Sequence, residues 1–600
     1  MEAYYKQKIA EITEETTLLK KKNDRVAALR LFLIIALGFL IYKGFSIHYL
    51  AGVAVVAGGV AGFYYLVKYH EKIELDIDLH ITTIELIRNE LACLAGNSNV
   101  YYNGSEYNSP LHHFSDDLDI FGESSLFHLI NRTKSKAGND YLAKNLLSED
   151  QHYTISEKQE AAKELKSKTE WRLNFLASMF KLSNEERGVT SILSRIEEPP
   201  PIKFEGLISI YNMVLPFLWI GVAASSYFKS LTFAGYAAAV LFMINYFFVL
   251  INKKPTEDYF NTVSGAGRIM QKYGLATALI VQENWTSKIL KESYESMPIS
   301  KLNSKNPIDD FVVILKKLDM RRNQFASIFL YLASPFEPVQ LIRLRKWLQE
   351  HPDFFLKIFD TIGVFEASSS LGTLSFNKPD WSFPEINETG KFSLEGTQIG
   401  HPLIRGHETV CNDFRFDDTN RLTLITGSNM SGKSTFLRTI GLNIVLSYAG
   451  APVFASHLKV SPGIHLICYM RIKDSIQQNA STFKAEIERI KLVLAAINAH
   501  ENSLFLIDEM LRGTNSEDKL AGSMALLEKI ARSDAFAMVA THDLRMTEIS
   551  DKYPDKIKNY YFEYSTENGE LLFDYQIKNG VCKSFNASLL LKSIGLELNS

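Results

Sequence analysis

The chain has 600 residues, 46% of them apolar and 22% charged, with a net charge of -3 and a pI near 6.6. That length and balance allow several packed domains and exclude a disordered chain, while the near-neutral charge excludes a global basic field, so any nucleic-acid contact would rest on local patches. Cys93, Cys411, Cys468 and Cys582 lie far apart with no C-x-x-C pair and no zinc spacing, a pattern of buried free thiols in a reducing compartment.

Hydrophobicity is strongly segregated along the chain. Residues 31–42 and 44–67 are almost uncharged and broken only by Lys43, and two further runs, Leu207 to Phe228 and Leu231 to Ile251, are joined by Lys229 and Ser230. The last three runs have the roughly 20 apolar residues of a membrane-spanning helix; the first spans only if Val26 to Leu29 extend it past Arg30. Lys20, Lys21, Lys22 and Arg25 precede the first run, Lys68 and Lys72 follow the second, Lys203 precedes the third, and Lys253 and Lys254 follow the fourth. Two hairpins therefore put every basic flank on one side, which predicts a multi-pass protein of the cell membrane with both termini in the cytoplasm. Gly58 and Gly62 offer a small-xxx-small pair for close helix approach. The competing readings are all-round buried helices of a soluble core and a cleaved signal peptide. Against the first, two adjacent uniformly apolar helices are hard to cover; against the second, the N-terminal region mixes Glu11, Glu14 and Glu15 with its lysines.

Between and after the hairpins the periodicity is helical. Glu71 to Ala95 predicts an amphipathic helix, followed by a tyrosine-rich polar linker ending at Pro110. Asp116 to Ile196 reads as helical, with a turn at Gly138 and Asn139, and the Glu-Glu-Pro-Pro-Pro stretch at 197–201 stops it. Residues 255–363 are again mostly helical. Beyond Pro379 short strands and turns give way to alternating strands and helices. The expected organisation is a charged N-terminus (1–25), a first hairpin (26–70), an amphipathic helix and linker (71–110), a helical core in two parts (111–201 and 255–378) split by a second hairpin (202–254), and an α/β domain (379–600).

The α/β domain carries the chemistry. Gly427, Ser428, Asn429, Met430, Ser431, Gly432, Lys433 and Ser434, set between the apolar stretch Leu422 to Thr426 and an amphipathic run from Thr435, have the G-x-x-x-x-G-K-[ST] spacing of a phosphate-binding loop. Small residues let backbone N–H groups wrap nucleotide phosphates at the positive end of the next helix. Lys433 would reach the terminal phosphates and Ser434 would place its hydroxyl on Mg²⁺. Downstream, the apolar run from Ser503 ends in Asp508 and Glu509. An Asp there can hold Mg²⁺ through water, and an adjacent Glu can activate the water that attacks the terminal phosphate of ATP. A second strand, Phe536 to Ala540, ends in Thr541, His542 and Asp543, which offers His542 to that phosphate or water.

Together the segments GSNMSGKSTFLRTIGLNIVL, STFKAEIERI, LFLIDEMLRGTNSEDKLA and ATHDL resemble the nucleotide-binding domain of the MutS family, relatives of the ABC-type ATPases. The likeness extends to His401-Pro402, to residues 117–142 and to 577–596, and covers about 110–196 and 360–596. It implies an α/β P-loop ATPase domain beside an all-α core, with Ser481 and Thr482 completing the ATP site of a partner subunit, hence a homodimer with composite sites. Arg512 to Ser516 match the loop that signals between sites, His542 the switch histidine, and Asn429 an asparagine of the family's loop. The family's adenine-stacking aromatic falls on Thr409, which leaves base recognition around Val410 to Asn412 open.

The departures bear on output. No Phe-x-Glu mismatch wedge precedes Asp116, the connector is replaced by an apolar hairpin, a second hairpin and about a hundred residues stand where levers and DNA clamp are expected, and the C-terminal dimerisation helices of many members are not expected. The resemblance implies DNA binding and mismatch repair, with Arg321, Arg322 and Arg343 to Lys346 as basic clusters. The alternative is a membrane machine acting on an unknown membrane partner, with no DNA role.

Overall fold

The computed structural model describes residues 1–97, 99–109, 112–149, 152–180, 199–228, 231–263, 266–299, 307–320, 330–388, 392–404, 409–428, 430–470, 482–499, 502–511, 515–567 and 570–582. Two helices of 46 residues each, α1 (Glu2–Ile47) and α2 (Tyr49–Leu94), form an antiparallel hairpin. At 1.5 Å per residue each is about 69 Å long, more than twice the thickness of a hydrocarbon layer. Composition divides them: the half nearest residue 48 is apolar and turns Phe32, Ile35, Phe39, Val60 and Tyr65 outward, whereas the other half is charged and packs on the body of the protein. The helix therefore runs unbroken through the charged N-terminus. At the narrow end the backbones meet closely. A Cβ on Gly52 would strike the Phe45 ring and one on Gly59 the Leu37 side chain. Among the described residues nothing lies within 4 Å of a Cβ on Gly58 or Gly62, whereas one on Gly44 would lie 3.0 Å from Gly52 Cα, so the packing glycines include Gly44, Gly52 and Gly59 and not the pair singled out by spacing.

The polar half is tied down by buried polar contacts. Tyr5 Oη donates to Asn377 Oδ1 (2.8 Å), whose Nδ2 donates to Glu90 Oε2 (2.8 Å). Glu90 in turn accepts from Arg132 Nε (2.5 Å) and Nη2 (3.0 Å), both side chains being almost wholly buried. The tyrosine-rich stretch before residue 110 is packed structure, with Tyr101 buried and Tyr107 Oη bonded to Asp140 Oδ1 at 2.5 Å. Next come α3 (Leu126–Ile130), α4 (Lys136–Leu146), α5 (Ile155–Ser167) and α6 (Thr169–Met179). Ser125 and Ser135 cap α3 and α4, and a Thr154/Glu157 capping box starts α5. Gly138 and Asn139 lie inside α4 rather than at a turn. A Cβ on Gly138 would meet Glu366 Oε2 at 2.5 Å, so close packing explains the glycine.

The second apolar hairpin is α7 (Glu205–Phe228) and α8 (Leu231–Ile251), with Met213, Phe217, Tyr236 and Met243 exposed. Among the described residues, four helices are long and apolar enough to cross a membrane. The helices α9 (Lys253–Val263), α10 (Ala266–Val281), α11 (Lys288–Ser296), α12 (Pro307–Asp319), α13 (Phe336–Glu350) and α14 (Phe354–Asn377) complete the helical body. Helix α14 is buried for most of its length and packs on α4 and α5 before the chain enters the α/β domain.

Among the described residues that domain holds two sheets. The strands β1 (Glu385–Ile386), β2 (Leu394–Ile399), β3 (Asn412–Phe416) and β5 (His457–Val460) form one, in the order β1-β5-β2-β3. The other is a six-stranded mixed sheet in the order β10-β9-β4-β8-β7-β6. Its strands are β4 (Leu422–Thr426), β6 (His465–Tyr469), β7 (Ser503–Asp508), β8 (Phe536–Thr541), β9 (Ile557–Glu567) and β10 (Glu570–Asn579), and only β10 runs antiparallel. Helices α15 (Lys433–Tyr448), α16 (Thr482–Asn498), α17 (Ser516–Arg532) and α18 (Ile549–Lys552) follow their strands. The almost uniformly buried β4, β7 and β8 are central and covered on both faces, as such parallel strands are. Register sets the site: Thr426 pairs with Thr541 and Asp508 with Ala540, so the ends of β4, β8 and β7 lie level.

Candidate functional site

Loops leaving the carboxyl ends of parallel strands converge on a crevice. Here they line a cleft of about 910 Å³ that takes in Met430 to Phe436, Asp508, Glu509, His542, Thr409, Val410, Asn412, Phe562 and Tyr575. The loop after β4 needs its glycines. Gly427 has φ +152° and Gly432 φ +103°, and a Cβ on Gly427 would lie 2.8 Å from Ser431 Oγ and 3.0 Å from the Phe562 carbonyl. Gly432 ends the loop, α15 starts at Lys433, and the unpaired amides of its first turn face the cleft.

Lys433 is buried, and its Nζ donates to the carbonyls of Gly427 (2.8 Å) and Ser428 (2.7 Å). Burial pulls its ammonium down to about 8, against the opposing pull of Asp508 and Glu509. Ser434 Oγ donates to Asp508 Oδ2 at 2.6 Å, and Thr435 also lines the cleft. Among the described residues, Ser428 Oγ and Ser431 Oγ are buried without a hydrogen-bond partner, which marks the loop as a place where polar ligand atoms would be welcome.

Glu509 takes a left-handed backbone (φ 56°), and its N–H donates to the Ala540 carbonyl. That twist turns its carboxylate toward His542, whose Nε2 lies 2.5 Å from Glu509 Oε1. The other ring nitrogen, Nδ1, is 3.0 Å from the Gly427 carbonyl, an acceptor. His542 thus bridges the loop and the carboxylate.

Asn412 lines the cleft but commits its amide elsewhere. Its Nδ2 donates to the Tyr575 carbonyl (3.0 Å) and its Oδ1 accepts from Ile577 N–H (2.8 Å). These bonds fix a bulge in the β9–β10 pairing between Phe573 and Ile577, at which Tyr575 adopts φ 52°. The Tyr575 ring faces Gly432, where an added Cβ would lie 3.1 Å from it. Tyr575 is the aromatic at the cleft that sequence reasoning missed. Its signal, an aromatic within FDYQIKNG, acquires meaning only through the bulge. His401 also lines the cleft, and burial, with Arg438 nearby, lowers its imidazole to about 4. Asn429, Ser481 and Arg512 to Thr514 lie outside the described residues, as does the side chain of Thr482; Asn515 caps α17, which begins at Ser516. Of the basic clusters, Arg321 and Arg322 also lie outside them, whereas Arg345 is held by Glu205 at 2.6 Å.

The fold and cleft define a mixed α/β domain with a glycine-rich loop at a helix N-terminus facing two carboxylates. Residues 423–591 match the family model described as MutS domain V. The chain is 30% identical over 259 residues to human MutS protein homolog 4, covering 41% of this chain and 26% of that protein. It is 28% identical over 237 residues to the DNA mismatch repair protein MutS of Thermotoga petrophila, covering 39% and 29% respectively. Over this C-terminal part the chain is similar to the MutS family. Its match spans less than a third of the length of these relatives.

Proposed function

We propose that the chain is a membrane-anchored, Mg²⁺-dependent ATPase that works as a homodimer. The observation that carries this reading is the convergence of the 427–434 loop, the Ser434–Asp508 pair and the Glu509–His542 pair at one cleft. Backbone amides at the start of α15 bind the phosphates, and Lys433 moves from the loop carbonyls onto the terminal ones. The donor set suits Mg²⁺, a hydroxyl and a carboxylate oxygen 2.6 Å apart, since that ion is ordinarily held by one or two protein oxygens, waters and substrate phosphates. When bound, Mg²⁺ neutralises charge on those phosphates. Glu509 orients and deprotonates the attacking water, while His542 reports the terminal phosphate through its link to Gly427. Tyr575 offers its face to the adenine. Ser481 and Thr482 of a second copy complete the site.

The outward apolar side chains of α1, α2, α7 and α8 support anchoring in the cell membrane, because a soluble chain rarely exposes such continuous apolar surface. Basic flanks at the hairpin bases support a cytoplasmic site and cytoplasmic termini. ATP binding would close the dimer, and motion would reach the membrane through α14 and the α1–α2 stem. The test is equilibrium binding of ATP to the full chain in lipid nanodiscs: the parent binds and Lys433→Ala does not. Equal binding by both would refute the assignment.

A second reading, a DNA transaction near the membrane, draws on the matched relative named a DNA mismatch repair protein. Duplex DNA, matched or mismatched, would then bind the full chain with steep salt dependence and alter ATP turnover. Absence of binding at low salt would remove this reading and leave action on a membrane partner.

A further inference from the structure

The second hairpin does not stand alone at its base. Lys203 N–H donates to Asn252 Oδ1 (2.8 Å), and the Glu205–Arg345 ion pair lies beside them. With Lys253 and Lys254 these groups mark the level at which α7 and α8 leave the cytoplasm. Asn245 stands about two turns above Asn252, or about 10 Å, and Trp219 about four turns above Glu205, or about 21 Å, with its side chain leaning back toward the helix start. Their polar atoms meet neighbouring carbonyls of one short segment: Asn245 Nδ2 donates to the Leu332 carbonyl (3.0 Å) and Trp219 Nε1 to that of Ala333 (3.3 Å). A third measure agrees. Phe336, the first residue of α13, lies about two and a half turns before Arg345, or about 13 Å from the same level.

The segment has the chemistry of that depth. Leu330 to Phe336 carry no charge. Leu332 and Ala333 close a helical turn that stops at Ser334 and Pro335, so their carbonyls have no helical partner. In water this would cost nothing. In hydrocarbon such carbonyls must be met by protein donors, as Asn245 and Trp219 meet them. Asn245 is itself fully buried and also accepts from Tyr211 Oη (2.9 Å). Glu337 is buried in the first turn of α13, and it accepts from Tyr331 Oη at 2.5 Å. Leu332 is 40% exposed with only apolar atoms to present.

We propose that Leu330 to Phe336 form the tip of a re-entrant element that enters the bilayer beside the second hairpin and turns at Ser334–Pro335 near its midplane, with lipid acyl chains against Leu332. The assignment rests on the membrane reading given above. It makes α13 a half-span that joins the bilayer interior to the helical body.

The test is site-directed spin labelling of the full chain in lipid nanodiscs, with Cys93 and Cys411 changed to serine. Labels at Leu332→Cys, at Phe217→Cys on α7 and at Leu356→Cys on α14 are compared by collision with oxygen and with a water-soluble nickel chelate. The label at 332 should match that at 217, with high oxygen and at least fivefold lower nickel accessibility than at 356. A 332 label that behaves like 356 while 217 reads lipid overturns the re-entrant element and leaves the anchor standing. Aqueous readings at both 217 and 332 overturn the membrane reading and the element with it. Leu330→Cys gives the same readout if Leu332→Cys fails to fold, and Asn245→Leu should raise nickel access at 332 but not at 217.

Discussion

Replacing Tyr575 with alanine should weaken ATP binding without touching the phosphate cradle. The ring is 43% exposed at the cleft, stacks on Phe573 (centroids 5.9 Å apart, planes at 25°) and faces Gly432. Its backbone is held by Asn412 alone among the described side chains bonding to that carbonyl, so truncation removes the ring and leaves the bulge. Base–aromatic stacking is worth about 1–3 kcal/mol by alanine substitution. At about 1.4 kcal/mol per tenfold, ATP affinity should fall about 5- to 150-fold. Phenylalanine, which keeps the face, should stay within about twofold.

The assay is equilibrium binding of ATP and of inorganic triphosphate to the full chain in nanodiscs. Triphosphate has no base, so its affinity should be the same for parent and Tyr575→Ala. An ATP affinity equal to that of the parent would refute the platform. Equal losses for ATP and triphosphate would show that the residue acts through the loop, contrary to the reasoning.

Other expectations follow from the same contacts. Ser434→Ala removes one oxygen of the Ser434–Asp508 pair and should raise the Mg²⁺ concentration needed for half-maximal turnover at least several-fold; an unchanged Mg²⁺ titration would count against that metal position. Lys433 titrates near 8 in the fold and near 10.5 unfolded. Between those values the unfolded chain holds a proton that the folded chain lacks, so this group makes stability rise with pH there, while ATP, which needs the cation, binds more weakly as pH rises through about 8 and draws a proton in. Calorimetry in buffers of different ionisation enthalpy checks this, and affinity flat across that range contradicts it. Glu90→Gln strips the counter-charge from Arg132, 5% exposed in its side chain, and should cost about 3–5 kcal/mol. The pair Glu90→Leu with Arg132→Met should recover much of it. Denaturant unfolding that moves by under about 1 kcal/mol for the single variant would mean the pair is not the anchor of the α1–α2 stem.

Much of the architecture is legible in local pattern. Strands β4, β7 and β8 announce themselves as short apolar runs because both faces are covered, and the two apolar hairpins stand out because many of their apolar side chains face outward. The loop glycines and Lys433 are equally plain, since their spacing reflects backbone geometry within one turn. What local pattern misses depends on distant partners. Gly138 reads as a turn residue, yet it is a helical glycine because Glu366 lies against it. Gly59 rather than Gly58 packs on Leu37, a choice set by helix rotation. The tyrosines before Pro110 look like linker until Asp140 and the ring of Phe127 supply partners for Tyr107. Tyr575 owes its place to a bulge pinned from another sheet by Asn412, and residue order gives no hint of that.

The most direct measurement is ATP turnover by the full chain in nanodiscs, parent against Glu509→Gln, with bound ATP quantified in parallel. Loss of a positioned general base predicts that turnover falls by roughly 10²–10⁴-fold while ATP remains bound, because the amide keeps the shape next to His542 and leaves Lys433 and the loop untouched. Hydrolysis by Glu509→Gln at the parental rate, or a parent that binds ATP and never turns it over, would contradict the account.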